Sequence, residues 1–136
     1  MVIKFTKEQM TAWVDNDEAF ADWYVDDFML KNLPDFYYSV SAQGKREMTI
    51  NGRAYARQFG FADGESQAHF VTFMWAIGAN FFTHPGFSEI ANDKDLSGSE
   101  KVDRFYAVPK DKAVHAIMNP DDRYWYPEMV EPARSR

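Results

Sequence analysis

Apolar positions recur along the chain at three- and four-residue intervals rather than in alternation, the signature of helices with one buried face. Ala19, Phe20, Trp23, Tyr24, Phe28 and Met29 form the first such run, and Pro34 ends it. Two helix-start signals precede it, since Thr6-x-x-Gln9 and Asp15-x-x-Glu18 both have the form of a capping box. A polar stretch around Ser41 to Gly44 leads to a helix predicted over residues 45–59. It carries Met48, Tyr55 and Phe59 on one side and Arg46, Arg53 and Arg57 on another. Gly52 lies in its interior, where glycine costs up to ~1 kcal/mol relative to alanine, and so points to close helix packing. Gly60 follows as the C-terminal cap.

Asp63 is the N-cap of the next predicted helix, with Glu65 in the first turn where the helix dipole favours a negative charge. Phe70, Val71, Phe73, Met74, Trp75, Ile77 and Phe81 spread around most of its circumference, which predicts a central apolar helix over about 63–81. His84-Pro85 interrupts the pattern. Short helices are predicted near 85–91, at 98–107 and at 110–118, the last two separated by Pro109. Residues 121–136 hold Tyr124, Trp125 and Tyr126 between Pro120 and Pro127, and read as a C-terminal tail after a helical domain spanning 1–120. No alternating strand, internal repeat or low-complexity linker is present. The expected fold is all-α, a single compact domain of five to seven helices around the central one.

A chain of 136 residues is expected to form one domain and to bury roughly two-thirds of its unfolded surface without a covalent staple. The absence of cysteine excludes disulfides and thiolate chemistry. No apolar run is long enough to span a bilayer, and MVIKFTKEQM lacks the apolar core of a signal peptide, so the cytoplasm is the expected compartment and no membrane partner is expected. The net charge of −6 argues against nucleic-acid binding, which needs a basic footprint. Charge is segregated, however. Residues 1–35 carry 3 lysines against 8 carboxylates, whereas residues 44–58 carry 4 cations against Glu47 alone. Such patches either complement each other within the fold or face a partner. The 12 Phe, 7 Tyr and 4 Trp exceed what a core of this size needs, so part of this aromatic surface is expected to serve association.

Few stretches look like chemistry. Asp93, Asp95, Ser97 and Gly98 match positions 1, 3, 5 and 6 of a calcium loop, but Arg104 stands where the bidentate glutamate belongs. The same residues read better as a helix start, with Ser97 as N-cap, Glu100 closing a capping box, and Val102, Phe105 and Tyr106 as the buried face. His69, His84 and His115 lack the paired spacing of a zinc site. No nucleophile elbow appears, and Asp15, Glu18, Asp22 and Asp26 fall on one helix face as a solvated or partner-facing stripe rather than a hydrolytic pair. No catalytic, cofactor-binding or metal-ligating residue is assigned, and no enzyme activity is expected. The candidate partner-binding residues are Arg46, Arg53 and Arg57, with Asp22 and Asp26, and the aromatic set Tyr124, Trp125 and Tyr126. Arginine and aromatic side chains dominate binding energy at protein interfaces. Internal pairing of the arginines with the acidic N-terminal helix is the competing reading.

Residues 24–107 carry a resemblance. Tyr24-Val-Asp-Asp-Phe28 with Leu33-Pro34, Ala54 with Gly60-Phe61, Phe70-Val-x-Phe-Met74 with Gly78 and Phe81, then Pro85, Ile90 and Ser97-x-x-Glu100-Lys101-Val102 resemble a group of small helical proteins encoded in bacterial type VI secretion gene clusters. The aromatic segment after Pro120 lies outside that pattern. The resemblance implies an accessory, protein-binding role and transfers no catalytic residue. Three expectations follow: an adaptor or co-chaperone that loads an effector onto the secretion spike; an immunity protein that neutralises a cognate toxin; or, from another class, a small hydrolase or metal-binding protein. The partner would be another protein, and the oligomeric state is left open.

Overall fold

The computed structural model describes residues 16–130. The capping signals at Thr6–Gln9 and Asp15, and residues 131–136, lie outside the described residues. The first described helix, α1 (Asp17–Trp23), starts at Asn16, whose side chain accepts the Ala19 N–H at 3.0 Å. It runs without a break into a π-helical segment (Tyr24–Met29) and a last turn (Leu30–Asn32). Its buried residues form two rows at four-residue spacing, Phe20/Tyr24/Phe28 and Ala21/Val25/Met29. In a regular α-helix of 3.6 residues per turn such rows drift by about 40° at each step. The wider π turns remove part of that drift and keep both rows on the core.

The first run ends at Asn32, just before Pro34 as expected, and a new helix starts at the proline. Pro34 takes the first position of α2 (Pro34–Ser39), where its missing N–H costs nothing. Helix α3 (Ala42–Gln58) begins with Ser41 capping Gly44 N–H at 3.0 Å, three residues before the expected start. It ends in a Schellman motif: Phe61 N–H reaches Ala56 O at 2.9 Å, Gly60 N–H reaches Arg57 O at 3.0 Å, and Gly60 has φ +87°. The expected cap is therefore present.

Helix α4 (Gly64–Ala76) is capped by Asp63 and is buried along nearly its whole length, from Gly64 through Trp75 except for Glu65. It is the central helix, but it ends before residue 81. Phe81 belongs to a 3-10 turn (Phe81–Thr83) beyond Gly78. Helix α3 lies against it at Gly52, where an added Cβ would meet Val71 Cγ2 and Met74 Sδ at 3.1 Å. The interior glycine is explained by that approach. The remaining helices are α5 (Ser88–Ala91), α6 (Gly98–Tyr106) and α7 (Lys110–Met118), followed by 3-10 turns at Asp122–Trp125 and Pro127–Met129. No strand occurs among the described residues, so the fold is an all-α single compact domain.

The interior is largely aromatic. Phe70, Phe73, Phe81, Phe87 and Phe105 pack with centroids 5.0–6.5 Å apart, mostly in edge-on and tilted pairs with Phe73 and Phe81 stacked. Most of the aromatic content is thus core. Opposite it, Tyr24 OH and Thr72 Oγ1 meet at 2.9 Å; because Thr72 donates to Ala68 O, Tyr24 is the donor. Burial raises the Tyr24 phenol far above its ordinary range. No described helix is long and apolar enough to cross a membrane.

Candidate functional site

Of the arginine row predicted as a docking surface, Arg53 alone is turned inward, while Arg46 and Arg57 keep 34% and 41% of their side chains exposed. Arg46 pairs with Asp22 across the α1–α3 seam, and Arg53 and Arg57 each reach Asp17 Oδ1 at 3.1 Å. Arg53 is fully buried. It donates from Nε to Gln67 Oε1 at 2.7 Å, bonds Asn16 O at 3.2 Å, and lies 4.5 Å from the Phe20 ring centroid. A guanidinium so placed organises the junction of α1, α3 and α4; it is not a contact for a partner. Arg46 and Asp22 remain at the surface as a solvated pair, and Asp26 is exposed beside them. The opposite charge patches complement each other within the fold.

The aromatic segment divides in the same way. Trp125 is buried, its ring 4.4 Å from Trp75 and its carbonyl accepting Asn51 Nδ2 at 2.8 Å. Asn80 anchors the approach to it by accepting the Asp121 N–H at 2.9 Å. Tyr124 is half-buried against Tyr55 and Phe82, while Tyr126 stays exposed. Residues 121–130 thus pack onto α3 and α4 and do not form a separate tail. Of the eight predicted contact residues, Arg53 and Trp125 are withdrawn from any surface because each serves the core.

The 93–104 stretch, with its partial calcium-loop pattern, is a helix start. Ser97 Oγ accepts Glu100 N–H at 3.1 Å and Glu100 Oε1 accepts Ser97 N–H at 2.9 Å, a complete capping box that holds the Glu100 carboxyl below its usual range. The buried face of α6 is Lys101, Val102 and Phe105; Tyr106 is half-exposed and meets His69 Nδ1 at 3.1 Å. His84 and His115 do come together, with ring centroids 5.4 Å apart, but no group of three metal-ligating side chains exists among the described residues.

Sequence reasoning missed two buried lysines. Lys45 Nζ donates to Tyr37 O at 2.6 Å and lies 3.8 Å from the Tyr37 ring centroid. Lys101 Nζ donates to Phe59 O at 2.5 Å and to Ala91 O at 2.8 Å, joining the C-terminal ends of α3 and α5. Cations at helix C-termini are favoured by the exposed carbonyls and the dipole. The available signal was Lys101 one turn before Phe105 on the apolar face of α6.

Lys101 lies at one end of a groove. A cavity of about 490 Å³ is lined by Tyr55, Gln58, Phe59, Phe82, Ser88 and Tyr124, among others, and one of about 300 Å³ by Gln58, Phe59, Asn92, Lys94 and Lys101. The groove draws on segments far apart in sequence, which is why no motif announces it. Helix α7 buries only Ala116 and leaves Val114, Ile117 and Met118 exposed. No protein-family model, curated protein or solved structure matches the chain.

Proposed function

We propose that this chain is a non-enzymatic, protein-binding accessory factor of a bacterial type VI secretion system, acting in the cytoplasm as an adaptor or co-chaperone in effector loading. The observation that carries the binding role is the outer face of α7. Val114, Ile117 and Met118 are 45%, 44% and 72% exposed. Their i, i+3, i+4 spacing makes one apolar strip, the pattern by which a helix lies in a partner's groove. With Arg53 and Trp125 committed to the core, this strip replaces them as the docking surface. The secretion setting comes from the residues of 24–107 that resemble that group. Those residues are mainly packing and capping groups, consistent with a scaffold that presents a surface.

The test is capture of the products of neighbouring genes by the purified chain, with secretion of the cognate effector measured after deletion. A Val114→Glu/Ile117→Glu variant is expected to fold normally and to lose the captured adaptor or effector. Undiminished capture by that variant removes α7 from the interface. Rescue of cells from a co-expressed toxin, with secretion unaffected by deletion, would replace effector loading by immunity.

A further inference from the structure

The groove at the end of α3 is set apart by its charge. Among the described residues its larger end has no charged side chain, and its smaller end has Lys94 and Lys101 with no carboxylate. In a chain of net charge −6 this is unusual. The cavity beside His69 includes Asp63, Glu65 and Asp103, and that beside α7 balances Glu89 and Asp103 with Arg104 and Lys112. Lys101 is 4% exposed, and its two hydrogen bonds both go to backbone carbonyls. An ammonium has three donors, and the third has no hydrogen-bond acceptor among the described residues, the Phe61 ring centroid lying 5.5 Å from Nζ. No carboxylate among the described residues lies within ion-pair distance of it. Asp93 favours the Lys101 charge from beyond ion-pair distance, but burial outweighs it; a buried charge so weakly compensated is costly, and an anion seated beside it recovers part of that cost.

We infer that this groove binds an organic carboxylate bearing an aromatic or apolar arm. The carboxylate is received by Lys101 and Lys94, and the arm enters the larger cavity among Tyr55, Phe82 and Tyr124. The amides of Gln58 and Asn92 stand at the junction, able to donate and accept hydrogen bonds. Tyr124 meets Phe82 edge-on at 5.8 Å and Tyr55 tilts against Phe82 at 5.1 Å, which gives the arm ring edges and faces to pack on. Both volumes fall within the range of small-molecule sites. The carboxylate can be the C-terminus of a peptide or belong to a free acid. This site stands apart from the secretion reading and from α7.

Titration calorimetry on the purified full chain tests it. The probes are N-acetylphenylalanine, its amide, and a short peptide ending in phenylalanine with a free or an amidated terminus. Both free acids are expected to bind at least about tenfold more tightly than their amides. Lys101→Met should abolish binding, but it also uncaps two helices. The decisive variants are therefore Lys94→Glu and Gln58→Glu, both exposed, which should keep the wild-type melting temperature and lose about tenfold or more in affinity for the free acids. Equal binding of acid and amide, no binding of either acid, or full affinity in both variants overturns the inference. A peptide acid that outbinds N-acetylphenylalanine identifies a polypeptide terminus as the source; equal affinities identify a free acid.

Discussion

Arg53 and Asp17 meet at 3.1 Å, yet their side chains are 1% and 40% exposed: the cation is inside the fold and its counter-ion is at the rim. The two ends of this pair therefore carry different weight. Removing the guanidinium strands Gln67 Oε1 and Asn16 O and takes the cation off the Phe20 face. Removing the Asp17 charge leaves Arg53 with those same partners, and solvent screens the loss. Arg53→Met should cost about 3 kcal/mol or more and Asp17→Asn about 1 kcal/mol, read from urea denaturation midpoints. Equal losses for the two variants would contradict the assignment of Arg53 as the buried organiser.

Trp125 and its neighbour Tyr126 offer the same contrast at the C-terminal end. Trp125 fills space against Trp75 and anchors Asn51 through its carbonyl, whereas Tyr126 is 37% exposed. Trp125→Ala is expected to cost about 3–5 kcal/mol, as large core aromatics do. Tyr126→Ala should stay within about 0.5–1 kcal/mol of wild type. A Trp125→Ala variant as stable as Tyr126→Ala would mean that the segment beyond Pro120 is not docked.

Local signals proved legible where the chemistry is local. Ser97 with Glu100, Asp63, and Gly60 with its Schellman bonds each satisfy backbone groups within a few residues, so residue type and spacing suffice to find them. Gly52 was legible for another reason, because an interior glycine costs stability unless something needs its missing Cβ. The π segment Tyr24–Met29 was not legible, since its four-residue rows also fit an α-helical face. Nor were the fates of Arg53, Lys45 and Lys101. A cation is buried only when distant carbonyls or carboxylates converge on it, and those partners lie between 8 and 42 residues away. The groove shares that difficulty: Tyr55, Phe82, Asn92 and Tyr124 become neighbours only once the domain has packed.

The capping box makes a prediction about acid. The Glu100 carboxyl is held low by the Ser97 backbone N–H and then by the Ser97 hydroxyl. A folded-state pKa below the unfolded one gives stability that is present above about pH 4.3 and is lost as pH falls through the depressed value. Glu100→Gln should flatten the stability profile in that acid window. Ser97→Ala should cost about 1 kcal/mol at neutral pH. Calcium should leave the melting temperature unchanged, because Arg104 occupies the place of the essential ligand; a calcium-dependent rise would restore the metal reading.

Thr49 should be improvable. Its hydroxyl is buried with no hydrogen-bond partner among the described residues, on a residue that is 0% exposed. Valine has nearly the same shape and helix propensity but no polar atom to strand. Thr49→Val is expected to raise stability by about 1 kcal/mol, read as a higher urea midpoint with unchanged slope. A loss of similar size would show that the hydroxyl has a partner in solution.

His69 contributes an acid sensitivity below neutrality. Burial pushes its imidazole below the ordinary value, opposed by the charges of Asp63 and Asp103; Glu65 lines the same cavity and Tyr106 OH contacts Nδ1. For a base whose folded pKa is depressed, the unfolded chain binds more protons once pH drops below about 6.5. Stability is therefore full above that value and declines as pH falls toward the folded pKa, where the decline levels off. His69→Gln keeps a polar group opposite Tyr106 and removes the titration. Its stability measured by urea denaturation at several pH values between about 7 and 5 should vary less than that of wild type. Parallel profiles for the two proteins would place the acid sensitivity elsewhere than this imidazole.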